Sequence, residues 1–192
     1  MNSFEGRKAP HDSWAEEVFR SIREEGWILV PMGIERIAPN AHPRLKAMLD
    51  PDPTSAFLRF MPDGFAVHPT KAESYFFDIK TGYTIEREPY ECYRAFAGND
   101  RQVFLYLYYA KAGKYLVPLP ALVFLDSWRY IATFPEEWQM PVDEEGWICP
   151  RDWPEDKYQR WKSSHPTASG TPFRYLDFPA MERFRRRPRK IL

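Results

Sequence analysis

The stretch FLRFMPDGFAVHPTKAESYFFDIKTG, residues 57–82, predicts two strands separated by a turn and a polar loop. The first strand is expected at residues 57–61, a short apolar run that ends at the Pro62-Asp63-Gly64 corner. The second is expected at residues 74–80, which are rich in aromatic side chains. These two strands form the centre of the predicted sheet.

Three polar side chains come together if this hairpin forms. Side chains two residues apart share a face of a strand, so Asp78 and Lys80 point the same way while Ile79 turns into the core. Asp63, brought beside that face by the corner, would complete a cluster of two carboxylates and one lysine. Close carboxylates need a cation to relieve their repulsion, and hard oxygen ligands suit Mg²⁺ or Mn²⁺. The cluster therefore indicates metal-assisted hydrolysis of a phosphodiester.

Pro62-Asp63, followed fifteen residues after Asp63 by Asp78-Ile79-Lys80, resembles the signature of the PD-(D/E)xK nuclease superfamily. Members of that superfamily include restriction endonucleases, Holliday-junction resolvases and RecB-type exonucleases. Their core order of helix, three strands, helix and strand can be followed over about residues 13–126. The resemblance therefore implies a restriction endonuclease-like core.

The resemblance also implies a role for each residue of the cluster. Asp63 and Asp78 would ligate Mg²⁺ or Mn²⁺, and the Ile79 backbone carbonyl would be a further ligand. Lys80 would position the attacking water or help to deprotonate it. The second acid is Asp rather than the commoner Glu, and its shorter side chain could demand a bridging water. The competing interpretation is structural, because aspartate suits any tight turn and Asp78 and Lys80 could form an exposed pair.

A first helix is predicted to begin at Ser13, because Ser13-Trp14-Ala15-Glu16 is a capping box, and to stop at Gly26. In the resembled family the first helix often contributes a glutamate to the metal site. Glu17 is the candidate for that catalytic and metal-binding role, and Glu16 is the reserve because the cap could engage it. A solvated helix face is the alternative for either glutamate.

The remaining pattern predicts an α/β fold, in which a mixed sheet of four or five strands is flanked by helices. Residues 102–110 are apolar on both faces, as expected of an interior strand. We divide the chain into a flexible lead at residues 1–12, a nuclease-like core at 13–126 and an irregular extension rich in Trp and Pro at 127–192. Other expected elements are strands at 27–31, 115–117 and 171–178 and helices at 85–96 and 154–162.

Composition limits the class of protein. The 192 residues suit one domain with a sizeable core, and the formal net charge is zero, so attraction to nucleic acid requires a local patch. Two cysteines, Cys92 and Cys149, are too few for a disulfide scaffold. The N-terminus has no apolar signal core, and no run is long enough to span a membrane. We therefore expect a protein of the cytoplasm, in a bacterial or phage-infected cell.

Two basic regions are candidates for nucleic-acid contacts. In the proline-rich segment before the hairpin, Arg36, Arg44 and Lys46 could face a phosphate backbone, although a surface loop with ordinary charges is the alternative. At the C-terminus six of the last ten residues are Lys or Arg, including Arg185, Arg186 and Arg187. Such a run neutralises phosphates without reading sequence, although a solvated tail is the rival interpretation.

These observations predict an Mg²⁺-dependent nuclease that hydrolyses DNA, of phage or repair and recombination type. Resolvase and exonuclease activities are both open, and a resolvase would be a homodimer. The alternative is a non-catalytic module that grips nucleic acid on the same fold. The two differ in their need for metal and in their sensitivity to loss of Lys80.

Overall fold

A computed structural model describes residues 4–33, 38, 40, 41, 44, 53–165 and 168–186 of the chain. The chain divides into two compact units. Unit 1 comprises Met1–Gly82, Cys92–Ala121 and Glu182–Leu192, and unit 2 comprises Tyr83–Glu91 and Leu122–Met181. Each unit thus combines separated stretches of chain, whereas the core and extension predicted from the sequence are each continuous.

The regular elements fall in the following ranges. The α-helices are α1 (Phe4–Glu24), α2 (Pro53–Arg59), α3 (Arg87–Ala97), α4 (Ser127–Ile131) and α5 (Glu155–Ser164). The strands are β1 (Ile28–Pro31), β2 (Gly64–Val67), β3 (Ser74–Thr81), β4 (Thr84–Glu86), β5 (Val103–Tyr109), β6 (Gly113–Pro118) and β7 (Phe173–Tyr175). Short 3₁₀ helices occur at Leu119–Ala121, Glu136–Trp138, Pro150–Asp152 and Pro179–Phe184.

Unit 1 contains a mixed five-stranded sheet in the order β1-β2-β3-β5-β6. Strands β1, β2 and β3 pair antiparallel, β5 lies parallel to β3, and β6 returns antiparallel to β5. The long connection between β3 and β5 is what a parallel pair requires. The predicted interior strand at 102–110 is therefore confirmed as β5, which has a neighbour on both sides, and β6 is an edge strand of this sheet.

Helix α1 covers one face of this sheet. Its buried residues Trp14, Val18 and Ile22 recur at helical spacing and pack with Phe77 and Ile79 of β3 in one apolar cluster. Because side chains alternate along β3, Asp78 between these two projects from the opposite face, as do Phe76 and Lys80.

The opposite face of the sheet is covered by α3. Phe96 of α3 meets Phe76 of β3 edge-to-face, with 4.6 Å between the ring centroids. The expected α/β arrangement, a mixed sheet flanked by helices, is thereby confirmed. The two faces of β3 consequently differ: one contributes to the apolar core under α1, and the other carries the polar residues under α3.

The first helix begins earlier than the capping box predicts. Helix α1 starts at Phe4, so Ser13 lies inside the helix and is not its N-cap. Glu5, Arg7, Lys8 and Ala9 of the preceding segment have high helix propensity, whereas Gly6 and Pro10 have low propensity, so propensity alone does not explain the earlier start. Helical structure nevertheless continues through the segment predicted to be a flexible lead.

The strand predicted at residues 57–61 is wrong, because most of that run belongs to α2. An apolar run of five residues does not distinguish a strand from a buried helical turn. Pro53 stands at the first position of α2, where its missing N–H costs nothing and its fixed φ favours a helix start. The strand begins on the other side of the corner, at Gly64, so Asp63 precedes β2 instead of ending a strand.

Unit 2 is built around the two-stranded antiparallel sheet of β4 and β7. The predicted short helix and last strand of the extension are confirmed as α5 and β7. Trp147, Trp153 and Trp161 are buried, whereas Trp128 is 51% exposed. Most of the tryptophans of the extension therefore serve packing. Within the described ranges, no helix has the length and apolar character needed to cross a membrane.

Candidate active site

The two aspartates predicted to form the site meet where the β2–β3 ladder ends. The first pair of that ladder is Gly64 with Phe77, so Asp63 and Asp78 are the next residues beyond it on each strand. Oδ2 of Asp63 accepts a 2.7 Å hydrogen bond from the backbone N–H of Ile79. The Asp63 carboxylate thus lies beside Asp78 and takes the acceptor role that a strand carbonyl would fill.

The corner that carries Asp63 is held by the neighbouring strand β1. The N–H of Met32 donates to the Asp63 carbonyl at 2.8 Å, and the N–H of Gly33 donates to the Pro62 carbonyl at 3.1 Å. Gly64 is required next, because a Cβ at this position would overlap the ring of Phe77. The backbone around Asp63 is therefore fixed from two sides.

Asp78 and Lys80 share the face of β3 under α3, as the alternation predicts. Nζ of Lys80 lies 2.8 Å from Oδ2 of Asp78, and the two side chains are 33% and 4% exposed. The contact is ionic: within the described chain the buried Oδ2 accepts no hydrogen bond of good geometry. Since buried carboxylate oxygens are normally hydrogen-bonded, this one retains capacity for a ligand. The alternative of an exposed Asp78–Lys80 pair is ruled out by the burial of Asp78.

Tyr93 of α3 is a member of the cluster that the sequence analysis missed. Its buried ring lies 5.7 Å from Nζ of Lys80. Burial, followed by the charge of Asp78, raises the pKa of Tyr93 well above 10.0, so the hydroxyl stays protonated. The spacing of the two residues is consistent with this position: Tyr93 precedes Phe96 by three residues and so shares its helix face, and Phe96 contacts β3.

Two neighbouring residues of α3, Tyr90 and Glu91, make their contacts elsewhere. Tyr90 packs against Phe124 and Trp147 in unit 2, at centroid distances of 5.4 and 5.7 Å. Glu91 pairs with Arg87 at 2.6 Å. The rotation of α3 about its axis therefore decides which of its side chains reaches Asp78.

The cluster keeps Lys80 positively charged. Burial alone would lower the pKa of Lys80, but the negative charge of Asp78, with smaller contributions from Tyr93 and Asp63, raises it well above 10.5. At neutral pH the lysine is therefore a cation that offsets one of the two negative charges of the nearby carboxylates.

The structure does not bring Glu17 to this cluster. Helix α1 packs on the face of the sheet that carries Phe77 and Ile79, opposite the face of Asp78. Both carboxylate oxygens of Glu17 accept hydrogen bonds from Lys114, at 2.5 and 2.6 Å. Glu16, the reserve, belongs to the same helix. The sequence could place a glutamate on the first helix but could not tell which face of the sheet the helix would cover.

The basic candidates are dispersed. Arg186 binds Ser21 of α1 and Glu25, which follows that helix, each at 2.7 Å, and Arg185 pairs with Glu182 at 3.2 Å. Arg44 is exposed. The predictions for three others fall outside the described residues: Arg36, Lys46 and Arg187.

The two units have net charges of opposite sign, although the net charge of the whole chain is zero. Unit 1, which holds the cluster, has 20 Lys and Arg against 14 Asp and Glu, while unit 2 has 7 against 13. This asymmetry is not apparent along the sequence, because the basic and acidic residues of each unit are spread over separate stretches. An attraction of unit 1 to a polyanion thus needs no net charge on the protein.

The donor set is compatible with a hard divalent cation. In the described part of the chain, no group of three or more His, Cys, Asp or Glu side chains is arranged to hold a metal. Mg²⁺, however, is commonly bound through one or two carboxylates and completes its shell with water and substrate oxygens. Asp63 and Asp78 supply two carboxylates on one side of β3, with Oδ2 of Asp78 paired to Lys80.

The similarity of this chain to known proteins was tested by three comparisons. No protein-family model matches the chain, and neither a curated protein nor a solved structure matches it. Its function must therefore be inferred from the chemistry of Asp63, Asp78, Lys80 and Tyr93.

Proposed function

We propose that the protein is an Mg²⁺-dependent nuclease that hydrolyses DNA phosphodiester bonds at the Asp63–Asp78–Lys80 cluster. The observation that carries the proposal is the contact of the buried Asp78 carboxylate with Lys80 at 2.8 Å, beside the Asp63 carboxylate that the Ile79 N–H fixes. Two carboxylates and a lysine at the end of adjacent strands are the groups that metal-assisted phosphodiester hydrolysis requires.

The order of elements supports the same proposal. Apart from α2 and β4, the chain runs α1, β1, β2, β3, α3 and β5, which is the order of helix, three strands, helix and strand of the PD-(D/E)xK core; β4 and the first half of α3 belong to unit 2. The Asp63 corner stands before β2, and Asp78-Ile79-Lys80 lies within β3. Both parts of the motif thus occur on neighbouring antiparallel strands.

Each residue has a role that its environment allows. Asp63 and Asp78 would hold the metal with the Ile79 carbonyl, and the bound ion would lower the pKa of its water and neutralise phosphate charge. Lys80, kept protonated by its neighbours, stabilises negative charge on the phosphate and orients the attacking water. It is a positioning cation in this proposal, and the role of general base passes to another group. Tyr93 holds Asp78 and Lys80 in place.

DNA as the substrate is supported by charge. Unit 1 carries six more basic than acidic residues, so the unit with the cluster attracts a polyanion. Endonuclease and exonuclease actions both remain compatible with the cluster, because it contacts only the scissile phosphate.

A non-catalytic nucleic-acid-binding module is the second candidate. The observation that favours it is the direct Asp78–Lys80 ion pair, together with the absence of Glu17 from the cluster. In this alternative Lys80 neutralises Asp78 permanently, and the cluster only stabilises the fold.

Cleavage assays separate the two functions. The purified protein is incubated with linear, circular, single-stranded and four-way-junction DNA in Mg²⁺, Mn²⁺, Ca²⁺ or EDTA, beside Asp78→Ala and Lys80→Ala. Asp100→Asn and Lys111→Ala, at exposed positions of unit 1, are the matched controls. The nuclease proposal expects cleavage in Mg²⁺ or Mn²⁺ that both cluster variants lose and both controls keep. Intact DNA under every condition, with binding unaffected by Lys80→Ala, would establish the binding module.

A further inference from the structure

A groove of about 610 Å³ opens on unit 1, on the face of the sheet covered by α1. We call it the α1–β6 groove. Its walls come from α1, from the start of β6 and from the C-terminal residues Arg185 and Arg186. A volume in this range holds a drug-sized ligand, so it suits a short segment of single strand and is too small for a duplex.

The groove is richer in cations than in anions. Arg20, Lys114 and the two C-terminal arginines line it, against the carboxylates of Glu17 and Glu24. Lys114 lies 5.2 Å from the Trp14 ring centroid and is held by Glu17. Arg20 is exposed and forms no hydrogen bond or ion pair within the described ranges. Arg20 is therefore available to a ligand without breaking any internal contact.

The groove reaches the end of the sheet at which the cluster lies. Thr81, next to Lys80, pairs with Tyr108 of β5, and Tyr108 pairs with Lys114 of β6. Neighbouring strands are about 4.8 Å apart, so this row spans about 10 Å from β3 to β6. That is about three nucleotides of a stacked strand at about 3.4 Å each.

The route between the two faces passes Thr81 and Gly82. Thr81 is exposed, and a Cβ built on Gly82 meets no atom within 4 Å. Half-buried Tyr108 lines the groove at the near end and offers an aromatic surface to a base. From β3 to β6 this row thus presents an exposed threonine, then an aromatic ring, then cations.

We propose that the α1–β6 groove binds the single DNA strand that flanks the scissile phosphate, with Arg20 and Lys114 on its phosphates. The proposal rests on the proposed nuclease function for the position of the scissile phosphate. Binding in the groove itself requires neither metal nor cleavage, so the two proposals can fail separately.

The Glu17–Lys114 pair provides a test, because substitution of one partner should raise the affinity for DNA and substitution of the other should lower it. In EDTA, fluorescence anisotropy with a 5′-fluorescein-labelled dT12 oligonucleotide measures the affinity of the full-length protein. We expect Lys114→Gln and Arg20→Gln each to weaken binding about fivefold, and Arg20→Gln to reduce the salt slope by about 0.7, because one phosphate contact is lost. Glu17→Gln should tighten binding about as much, because it frees Lys114 and removes a negative charge.

The control is Arg129→Gln, an exposed arginine of unit 2, which should leave affinity and slope unchanged. If the pair were only structural, Glu17→Gln and Lys114→Gln would shift affinity in the same direction, and that result overturns the groove. An unchanged affinity in Arg20→Gln, which loses no internal partner, overturns it as well. If the protein does not cleave DNA but Glu17→Gln and Lys114→Gln shift the affinity in opposite directions, the nuclease proposal is rejected and the groove proposal is retained. If the protein cleaves DNA but all three variants bind the oligonucleotide as the wild type does, the groove proposal is rejected and the nuclease proposal is retained.

Discussion

The backbone N–H of Ile79 donates a 2.7 Å hydrogen bond to Oδ2 of Asp63 and so joins the corner before β2 to the strand that carries Asp78 and Lys80. This bond compensates for the early end of the β2–β3 ladder, whose first pair is Gly64 with Phe77. It also fixes one oxygen of Asp63, and because the donor is a neutral N–H, the carboxylate keeps its negative charge next to Asp78. The same contact therefore serves the fold and the proposed site.

Removing the Asp63 carboxylate should separate these two roles. Asp63→Ala takes away the acceptor of the Ile79 N–H, and we expect it to lower the free energy of unfolding by about 1–3 kcal/mol. Asp63→Asn keeps a side-chain carbonyl in nearly the same place, so it should lose less than half as much. Both variants should lose cleavage, because both lack the charge that would hold the metal.

Urea denaturation followed by tryptophan fluorescence measures the first effect and cleavage of linear DNA the second. Equal urea midpoints for Asp63→Ala and the wild type would mean that the Ile79 bond does not hold the corner. Retained cleavage in Asp63→Asn would remove Asp63 from the proposed metal ligands.

Gly64 should tolerate no larger residue. A Cβ at this position would overlap the Phe77 ring, which is completely buried beneath α1. We expect Gly64→Ala to destabilise the protein by about 1–3 kcal/mol, because overpacking forces the ring or the strand to move. Since Gly64 follows Asp63 directly, cleavage should fall as well.

A double-mutant cycle with Phe77→Leu tests this explanation. The smaller leucine leaves room for the new methyl group, so Gly64→Ala should cost less in the Phe77→Leu background than in the wild type. The same cost in both backgrounds would show that the backbone, and not the Phe77 ring, excludes a side chain at position 64.

The face shared by Asp78 and Lys80 could be predicted because the period of a strand is independent of its surroundings. The position of Asp63 could be predicted only in part. Residues 57–61 before the corner, four of which are apolar, are compatible with a strand or a helix, and the first three belong to α2. That Asp63 faces Asp78 follows from the register of Gly64 with Phe77, which no local pattern specifies.

Glu17 and Tyr93 show the other limit of the sequence. A helix pattern specifies which residues share a stripe, but not which face of a sheet the stripe covers. Helix α1 packs on the face opposite Asp78, so Glu17 contacts Lys114. Helix α3 packs on the face that includes Asp78, so Tyr93 lies near Lys80 and Asp78. Tertiary packing therefore explains both why Glu17 is not part of the cluster and why Tyr93 is.

Tyr93→Phe should reduce activity more than stability. The ring stays and continues to fill the space beside Lys80, but the interaction of the hydroxyl with Asp78 is lost. We expect kcat/KM for DNA cleavage to fall about tenfold and the free energy of unfolding to fall by about 1 kcal/mol. Tyr83→Phe, at an exposed position of unit 2, is the control for removal of a hydroxyl. Full activity in Tyr93→Phe would leave Tyr93 with a packing role only.

The charge of Lys80 should appear in the pH dependence of stability. The pKa of Lys80 is raised in the folded protein, so the Lys80–Asp78 pair stabilises the fold fully below the unfolded value of about 10.4. This contribution is lost as the pH rises through the higher folded pKa. In EDTA, the difference in urea midpoint between the wild type and Lys80→Met should therefore be the same at pH 7 and pH 9.

The difference should begin to shrink only above pH 10.4, where the unfolded lysine loses its proton first and the folded one holds it longer. A difference that has already vanished at pH 9 would mean that burial dominates and that Lys80 is poised to lose its proton. Lys80 could then act as a general base. A constant difference instead restricts it to electrostatic stabilisation, so no alkaline decline in cleavage rate below pH 10 should arise from this lysine.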